Sequence, residues 1–448
     1  MSAAAETSDP FAERPLSRWG VLALISLAIA GCYYEFDAIA PIASLLHTER
    51  GFSQAQIGFL NAMLSLPNAI TVLLGGILID RLGPARVAAW TAALCLGGAA
   101  LTAVGKPYAV MVLGRMIFGI AEETLFVALL AGVAQWFSGK QAALAMALFF
   151  SCARIGSYAA DTSPDWAHAV YLHGWQSPLW LATLLTAVSF VAAQIYRLVD
   201  RSARRAGRLA PVAPAKYLRW SDLLSFDLSF WYILGLNVLF ASVFFPFRST
   251  FAIEYFQDAK DLTLQQAGLT NSWVFFAAIF ATPVFGYLAD RFGRRSLMMV
   301  IGALLMPLVF LILGTTHWSL WISTALMGIS FSVVPAIIWP ATAMLVEPRR
   351  LGTAFGFTDM MLNLCLALSN ITAGWIADRA HAGPAHPSGY DAMLWYFGIL
   401  SSVAFVSVVL LWRRESSPRG HGLEAIQVEP RASSGPENRR LSIADRCE

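Results

Sequence analysis

The sequence predicts an all-α membrane protein of twelve transmembrane helices, arranged as two pseudo-symmetric six-helix bundles. The first observation is composition, because 57% of the 448 residues are hydrophobic and only 13% are charged, whereas soluble domains carry roughly 25% charged residues. The second is a series of twelve apolar stretches, each able to supply the roughly 20 residues that cross a hydrocarbon core. The third is a motif that recurs at matching positions in the two halves. A doubled helical membrane unit is the usual construction of a secondary transporter.

The apolar stretches define the domain organisation. They cover residues 19–47, 54–80, 85–105, 107–138, 140–170, 175–199, 229–256, 264–290, 294–315, 317–346, 351–378 and 391–413. The predicted units are an N-terminal tail (1–18), a first bundle (19–199), a basic linker (200–228), a second bundle (229–413) and a C-terminal tail (414–448). The C-terminal tail is rich in Pro, Gly, Ser and charged residues, so we predict that it is disordered.

Arginine and lysine are concentrated in alternate loops. The loops that precede spans 3, 5, 7, 9 and 11 carry most of them, including Arg86, Lys140, Arg201, Arg294 and Arg350. The positive-inside rule therefore predicts that both termini are cytoplasmic. The first 17 residues are polar and contain no short apolar core, so they are not predicted to be a cleaved signal peptide.

The repeated motif identifies the superfamily. Gly-x-Leu-x-Asp-Arg-x-Gly-like segments follow the second span of each half, and further arginines follow them. Their residues are Gly76, Asp80, Arg81, Gly83 and Arg86 in the first half, and Gly286, Asp290, Arg291 and Gly293 in the second. The segments resemble the signature loop of the major facilitator superfamily. These residues are interpreted as helix caps and charge anchors without substrate contact. We predict a conformational role, in which a carboxylate at a helix end pairs with a partner in one state and releases it in the other.

Ionisable residues inside membrane spans are costly and are functional candidates by default. Here they are Glu35, Asp37, Arg115, Glu122, Glu123, Arg154, Arg248 and Asp359. Glu123 and Arg154 lie near the centres of their spans, where they form either a structural ion pair or a clamp for a zwitterion. An arginine suits the carboxylate of such a ligand because its planar fork can bind both oxygens.

Other polar residues extend this set. Tyr33 and Asp37 are four positions apart and share a helix face, which makes Asp37 a second ammonium partner, a proton site or a polar residue near the outer end. Arg115 begins a segment that is similar to the R-x-x-x-G motif of many proton-coupled members of the superfamily, and with Glu35 and Glu122 it is a candidate for proton coupling. A structural role of Arg115, joining spans 4 and 1, is equally compatible with the sequence.

Several segments resemble the branch of the superfamily that contains the lysosomal dipeptide transporters. They include Phe118–Leu125, Ala153-Arg154-Ile-Gly-Ser157, Trp339-Pro340, Leu351–Phe357 and Asn363. The resemblance implies a facilitator of dipeptides in which Glu123 and Arg154 contact the substrate termini. This chain departs from that branch at Glu122, where glycine is usual, and at Arg248, where the position is ordinarily apolar.

We therefore predict an alternating-access secondary transporter of dipeptides and short peptides. The resemblance implies a uniporter, and the residues leave uniport and proton symport open. The predicted substrate-binding residues are Glu123, Arg154, Asp37, Tyr33, Trp339, Asn363 and Arg248. The first alternative is a proton-coupled organic anion or drug transporter of the same fold, with Arg154 and Arg248 as paired cations, and the second is a membrane scaffold that no longer cycles.

The remaining predictions concern enzymatic activity, cofactors, partners and cellular location. The absence of P-loop, zincin and nucleophile-elbow motifs argues against an enzyme, and no metal, cofactor or nucleic acid is expected. The predicted partners are the small-molecule substrate and membrane lipids, with a monomeric chain. The excess of arginine over lysine and the lack of an acidic dileucine signal favour a bacterial cytoplasmic membrane over a lysosome.

Overall fold

The computed structural model describes residues 18–137, 140–206, 226–316, 319–347, 350–418 and 420–424, and the regular elements in these ranges are helices. The first half comprises α1 (Arg18–Asp37), α2 (Ala43–Arg50), α3 (Gln54–Ser65), α4 (Asn68–Leu82), α5 (Pro84–Val104), α6 (Tyr108–Trp136), α7 (Lys140–Asp161), α8 (Ser163–Trp166), α9 (His168–Tyr171) and α10 (Gln176–Arg205). The second half comprises α11 (Leu228–Pro246), a π-helical segment (Phe247–Phe251), α12 (Ala252–Lys260), α13 (Leu264–Phe292), α14 (Arg295–Thr315), α15 (Leu320–Leu345), α16 (Leu351–Arg379) and α17 (Tyr390–Glu415).

These helices make up twelve membrane spans, and the predicted fold class is confirmed. Within the described ranges, nine helical spans are long and apolar enough to cross a membrane, and a tenth is a pair bent by 60° (Gln54–Thr71 and Leu74–Leu82). The helices α7 and α13 complete the set. Each half buries its own apolar core, with Ile25, Leu125 and Phe149 in the first and Phe310 and Phe397 in the second.

Prolines decide where several spans are interrupted. Pro41 has no N–H to donate to the carbonyl of Asp37, and its ring crowds that carbonyl, so α1 ends at Asp37 before a short 3-10 turn (Ala40–Ile42). The fifth span was predicted to reach residue 170, but α7 ends at Asp161 because Pro164 prevents the helix from continuing. The rest of that predicted span forms α8 and α9.

Pro246 produces the π-helical segment of the seventh span. It cannot bond to the Ser242 carbonyl, which instead accepts a hydrogen bond of 2.5 Å from the hydroxyl of Ser369 in α16. A freed carbonyl inside a membrane has to find such a partner, because no water is available to it. The widened turn that follows contains Arg248.

The chain outside the spans differs in part from the predicted units. The helix α10 continues to Arg205, past the predicted boundary at residue 199, and most of the predicted linker (207–225) lies outside the described residues, as do 1–17 and 425–448. Part of the tail predicted to be disordered packs on the second half. Leu423 is buried there, its carbonyl accepts from the backbone N–H of Arg295 (3.0 Å), and the Glu424 carboxylate accepts from that of Leu297 (3.3 Å).

Candidate functional site

Arg154 lies where the two halves meet. The carbon of its guanidinium is 5.9 Å from the ring centroid of Tyr33, 5.4 Å from that of Phe275 and 4.8 Å from that of Phe331. These distances are within the range of cation–π attraction. Its side chain keeps part of its surface exposed, and the described residues offer it no ion pair or hydrogen bond. Arg154 is therefore a positive charge held by aromatic rings and available to an anion.

Close packing of α7 on α1 fixes the position of Arg154. Gly156 lies two residues after Arg154 in the Ala153–Ser157 motif. It approaches the backbone of Ala30 so closely that a Cβ at this position would collide with the Ala30 carbonyl. A side chain here would therefore push α7 away from α1. The glycine of the motif is thus explained by helix packing, and the packing carries Arg154 into the junction between the halves.

We expect Gly156→Ala to lower the melting temperature and to reduce transport, because the Ala30 backbone cannot move aside as a flexible side chain could. Overpacking of this kind typically costs about 1–3 kcal/mol. The matched control is Gly97→Ala in α5, where nothing lies within 4 Å of an added Cβ. That variant should be as stable as the parent or slightly more so, since alanine favours helix. Equal melting temperatures for the two variants would contradict the packing assignment.

Glu123 faces the same region from the middle of α6. It is partly exposed, and Tyr33 interacts electrostatically with both Glu123 and Arg154. Asp359 of α16, also partly exposed, interacts with Glu123 across the two halves. We call the space that Tyr33, Glu123, Arg154 and Asp359 face the central cavity. Within the described part of the chain, no ion pair joins Glu123 to Arg154, so both charges remain available.

Arg248 and Asp37 lie outside this cavity, in a buried ion-pair cluster. The Nη1 atom of Arg248 is 2.6 Å from Oδ1 of Asp37, and its Nη2 atom is 2.5 Å from Oδ2 of Asp161. Their side chains are at most 1% exposed. Asn271 donates a hydrogen bond to the Arg248 carbonyl (3.1 Å). In this state Asp37 and Arg248, which the sequence analysis assigns to the substrate, are therefore bound to each other.

Arg115 joins α6 to the end of α1. Its guanidinium donates to the carbonyls of Glu35 and Phe36 (3.1 Å each) and to Oδ1 of Asn61 (2.7 Å), and lies 3.9 Å from the Glu35 carboxylate. A helix C-terminus leaves such carbonyls unbonded and attracts a cation. Glu122 lies about two helical turns after Arg115 on α6, and it is 1% exposed.

The network continues from Arg115 into the second half. Asn61 donates to the Ser249 carbonyl (3.0 Å) and to the Thr250 hydroxyl (2.8 Å), and that hydroxyl donates to Oδ1 of Asn370 (2.7 Å). These bonds connect α6 and α3 of the first half with the π-helical segment and α16 of the second.

Trp339 and Asn363 occupy different surroundings. Trp339 is partly exposed and packs edge-on against Phe355, with 5.4 Å between ring centroids. Asn363 is buried, and its amide donates to the Asp359 carbonyl of its own helix (3.1 Å).

Asp378, at the end of α16, caps the first turn of α3 across the halves. Its two carboxylate oxygens accept from the backbone N–H groups of Gln54 (2.8 Å) and Ala55 (2.9 Å). The side chain of Gln54 also donates to Tyr390, which in turn donates to Asp258. We call the end of the molecule that contains these contacts and the Arg248 cluster the sealed end.

The repeated motif loops lie at the opposite end. Gly83 (φ 85°) and Gly293 (φ 62°) adopt positive φ angles that favour glycine. Asp80 and Gly76 are partly buried, and Arg81, Arg86 and Arg291 are exposed. Gly286 and Asp290 lie in α13, and the contacts of these two residues are not among those that the structure describes. The proposed gating role of these residues remains a prediction.

Sequence reasoning missed several residues of the network. Asp161 falls inside the fifth predicted span, and a complete count of charges there would have found it. Asn61, Asn271 and Asn370 carry no charge, and their roles depend on partners far away in the chain. No local pattern in the sequence indicates them.

The sequence matches a protein family that has this architecture. The Major Facilitator Superfamily model matches residues 25–255 and 230–435. The chain belongs to this superfamily. The protein is therefore an integral, multi-pass secondary transporter of a small molecule and not an enzyme.

Relatives within the superfamily include "Lysosomal dipeptide transporter MFSD1" of Danio rerio, 29% identical over 406 residues that cover 88% of this chain and 86% of the relative. The protein of the same name from Gallus gallus is 30% identical over 332 residues, 71% of this chain and 72% of the relative. Among solved structures, a bacterial homologue of the human lysosomal transporter Spinster aligns with a TM-score of 0.70 at 15% identity, over 89% of this chain and 98% of its own. That similarity shows a shared fold.

Proposed function

We propose that this superfamily protein transports dipeptides and short peptides by alternating access, with Arg154 binding the substrate carboxylate and Glu123 its ammonium group. The observation that carries the proposal is the environment of Arg154. Its guanidinium is held by aromatic rings of both halves, and the described residues provide it with no carboxylate. A substrate carboxylate would supply the missing partner.

The aromatic environment strengthens this interaction. The rings of Tyr33, Phe275 and Phe331 surround the guanidinium with apolar surface, and a charge pair is stronger in a medium of low dielectric constant. The guanidinium can bind both oxygens of a carboxylate at once. Because Phe275 and Phe331 belong to the second half, a substrate on Arg154 would contact both halves of the transporter.

Glu123 supplies the opposite pole. The two charged ends of a dipeptide are separated by about two residues of extended chain, roughly 7 Å, whatever its side chains are. A site that recognises only the ends therefore accepts many dipeptides. Asp359 interacts electrostatically with Glu123 and would attract the same ammonium group, and Tyr33 interacts with both poles. Trp339 and Asn363 are proposed to contribute to the wall of the same site on the second half.

The other predicted residues are proposed to act on conformation. Asp37 and Arg248 would meet the substrate only in a state that opens the sealed end, because here they are buried against each other. Opening that end and closing the motif-loop end would complete the alternating cycle. Glu35, Glu122 and Arg115 remain candidates for proton coupling.

The geometry favours a zwitterion over the organic anion of the alternative. An anion carrier was predicted to use Arg154 and Arg248 as paired cations. Arg248 is already bound by two carboxylates, so Arg154 alone of these two can attract an anion, and Glu123 and Asp359 would repel it.

The proposed location is a bacterial cytoplasmic membrane with both termini in the cytoplasm, and the proposed unit is a monomer among membrane lipids. The distribution of arginine and lysine in alternate loops supports this orientation. The sealed end would then face away from the cytoplasm, and the central cavity would be reached from the cytoplasmic side.

The test is thermal stabilisation of the purified protein by free dipeptides, N-acetylated dipeptides and dicarboxylates, since a ligand of the folded state raises the melting temperature. Free dipeptides should stabilise the parent protein, and acetylation should remove the effect. Glu123→Gln should weaken the binding of free dipeptides at least tenfold, about 1.4 kcal/mol. It should also abolish the discrimination against acetylated dipeptides. Glu347→Gln, at an exposed position, is the control and should behave as the parent. Stabilisation by dicarboxylates alone would reject the zwitterion site.

A further inference from the structure

We propose that Asp37, Asp161 and Arg248 form a proton-binding site, and that the sealed end closes when this site holds one proton. The three residues come from the end of α1, the end of α7 and the π-helical segment of the seventh span. They therefore join the two halves directly. The proposal does not depend on the identity of the substrate.

The geometry places two carboxylates on one guanidinium. Arg248 contacts Asp37 at 2.6 Å and Asp161 at 2.5 Å through its two terminal nitrogens. Each of these side chains is at most 1% exposed, so water does not share in their solvation. The charges of the cluster have to be balanced from within.

A count of these charges leaves one negative charge in excess. Arg248 contributes one positive charge, and Asp37 and Asp161 contribute two negative charges if both are ionised. An unpaired buried charge is strongly destabilising, and two carboxylates that share one site readily hold a proton between them. The Oδ1 atom of Asp161 accepts no direct hydrogen bond from the described residues, and the Asn271 amide lies beside this carboxylate. A proton can bind there without breaking either contact with Arg248.

Neighbouring charges do not remove this excess. The groups that interact electrostatically with the cluster from the surrounding helices are Arg115 and Glu122 of α6, Arg154 of α7 and Tyr171 of α9, and Glu35 of α1 lies next to Arg115. Glu35 and Arg115 pair with each other at 3.9 Å. Arg154 and Glu122 carry opposite charges, so together they add no net charge to the region, and Tyr171 is neutral. One proton therefore makes the region neutral.

The position of the cluster determines which solution delivers the proton. In the present state the site is closed, and the ring of Phe275 covers it on the cavity side, 4.0 Å from the Arg248 guanidinium and 5.4 Å from that of Arg154. Opening the sealed end would expose the cluster to the solution on that side. Acid on that side should favour closure, and loss of the proton should favour opening because the excess carboxylate is then hydrated.

The first test measures closure without substrate. Spin labels are attached to Thr48→Cys and Ala385→Cys, which are exposed on the two halves at the sealed end, in a chain whose five native cysteines are replaced by alanine. Between about pH 5 and about pH 9, the closed, short-distance population should give way to a longer distance, with at least a tenfold change in their ratio. Asp161→Asn, which mimics the protonated acid, should keep the short distance at every pH.

The controls separate the proton site from general effects of pH. Asp165→Asn changes an exposed acid one turn further along the chain and should retain the pH response of the parent. Asp37→Asn repeats the test on the other carboxylate and serves if Asp161→Asn does not fold. A parent distance distribution that is independent of pH, or an unchanged pH response in both asparagine variants, would overturn the proposal.

A second test distinguishes this proposal from the proposed function. Dipeptide counterflow is measured in vesicles that contain a pH-sensitive dye, with the pH varied on each side in turn. The rate should respond to the pH on the side of the sealed end, because the cluster exchanges its proton only with the solution on that side. Absence of counterflow would refute dipeptide transport and leave the spin-label result intact, whereas counterflow with a pH-independent label distance would refute only the proton site.

Discussion

Arg154→Ala is expected to reduce dipeptide transport by roughly 30- to 700-fold, because it removes the proposed cation of the central cavity. Losing one partner of a buried, hydrogen-bonded charge pair costs about 2–4 kcal/mol in such complexes, and each 1.4 kcal/mol corresponds to about a factor of ten. The protein itself should remain folded. Arg154 has no carboxylate partner among the described residues, so its removal leaves no orphaned acid behind.

The measurement is the initial rate of counterflow per folded transporter in vesicles, together with the melting temperature. Arg154→Lys keeps the charge but loses the planar fork, so it should give an intermediate rate. Arg201→Ala, at an exposed position at the end of α10, is the matched control and should transport normally. If Arg154→Ala transports at the parent rate, Arg154 does not bind the substrate.

The second large effect is expected at the sealed end, where Asp378→Asn should shift the protein towards the state that opens this end. The first turn of α3 has backbone N–H groups that no helical carbonyl can bond. Ser53 accepts from that of Gln56 (3.3 Å), whereas Asp378 accepts from those of Gln54 and Ala55. The negative charge is also favoured at a helix N-terminus. An asparagine has one acceptor oxygen and no charge.

The expected shift corresponds to the loss of one of these two bonds, because asparagine keeps one acceptor oxygen. Hydrogen bonds to a charged group contribute about 1.5–3 kcal/mol, so the ratio of sealed to open molecules should fall by roughly 10- to 150-fold. The Thr48–Ala385 label pair measures this ratio. Asp261→Asn is the control, because this exposed residue has a left-handed backbone (φ 54°) that asparagine also adopts readily. An unchanged distance distribution in Asp378→Asn would show that the cap does not hold the halves together.

Asp378 belongs to a partial copy of the repeated motif, and its contacts explain why that copy is present. The segment Gly374-Trp-Ile-Ala-Asp378-Arg379 ends α16 at the sealed end, whereas the two full motifs lie at the opposite end. Gly374 allows the backbone of α3 to approach, since an added Cβ would lie 2.5 Å from the Gln54 carbonyl oxygen. One turn later Asp378 accepts the N–H groups of the same helix. The glycine and the acid thus act together on one helix end.

The sequence by itself determined the number of spans, the duplication and the depth of the charged residues. A hydrocarbon core requires about 20 apolar residues for each crossing, and this requirement is local, so it can be read along the chain. Some departures were also local, since Pro41 and Pro164 end their helices through their own missing N–H groups and rings. Glu123 and Arg154 were identified because charges near the centre of a span are rare and costly.

Only the tertiary structure decided which of those charges are paired. The sequence does not show that Arg248 meets Asp37 and Asp161, and it assigned Arg248 and Asp37 to the substrate with the same reasoning as Arg154. Nor does it show that Asp378 caps α3. A contact between residues far apart in the chain depends on how the two halves pack, and among the described residues the packing gives Arg248 two carboxylates and Arg154 none. This difference between the two arginines arises only when the helices assemble, because the local sequence around each residue does not indicate its distant partner.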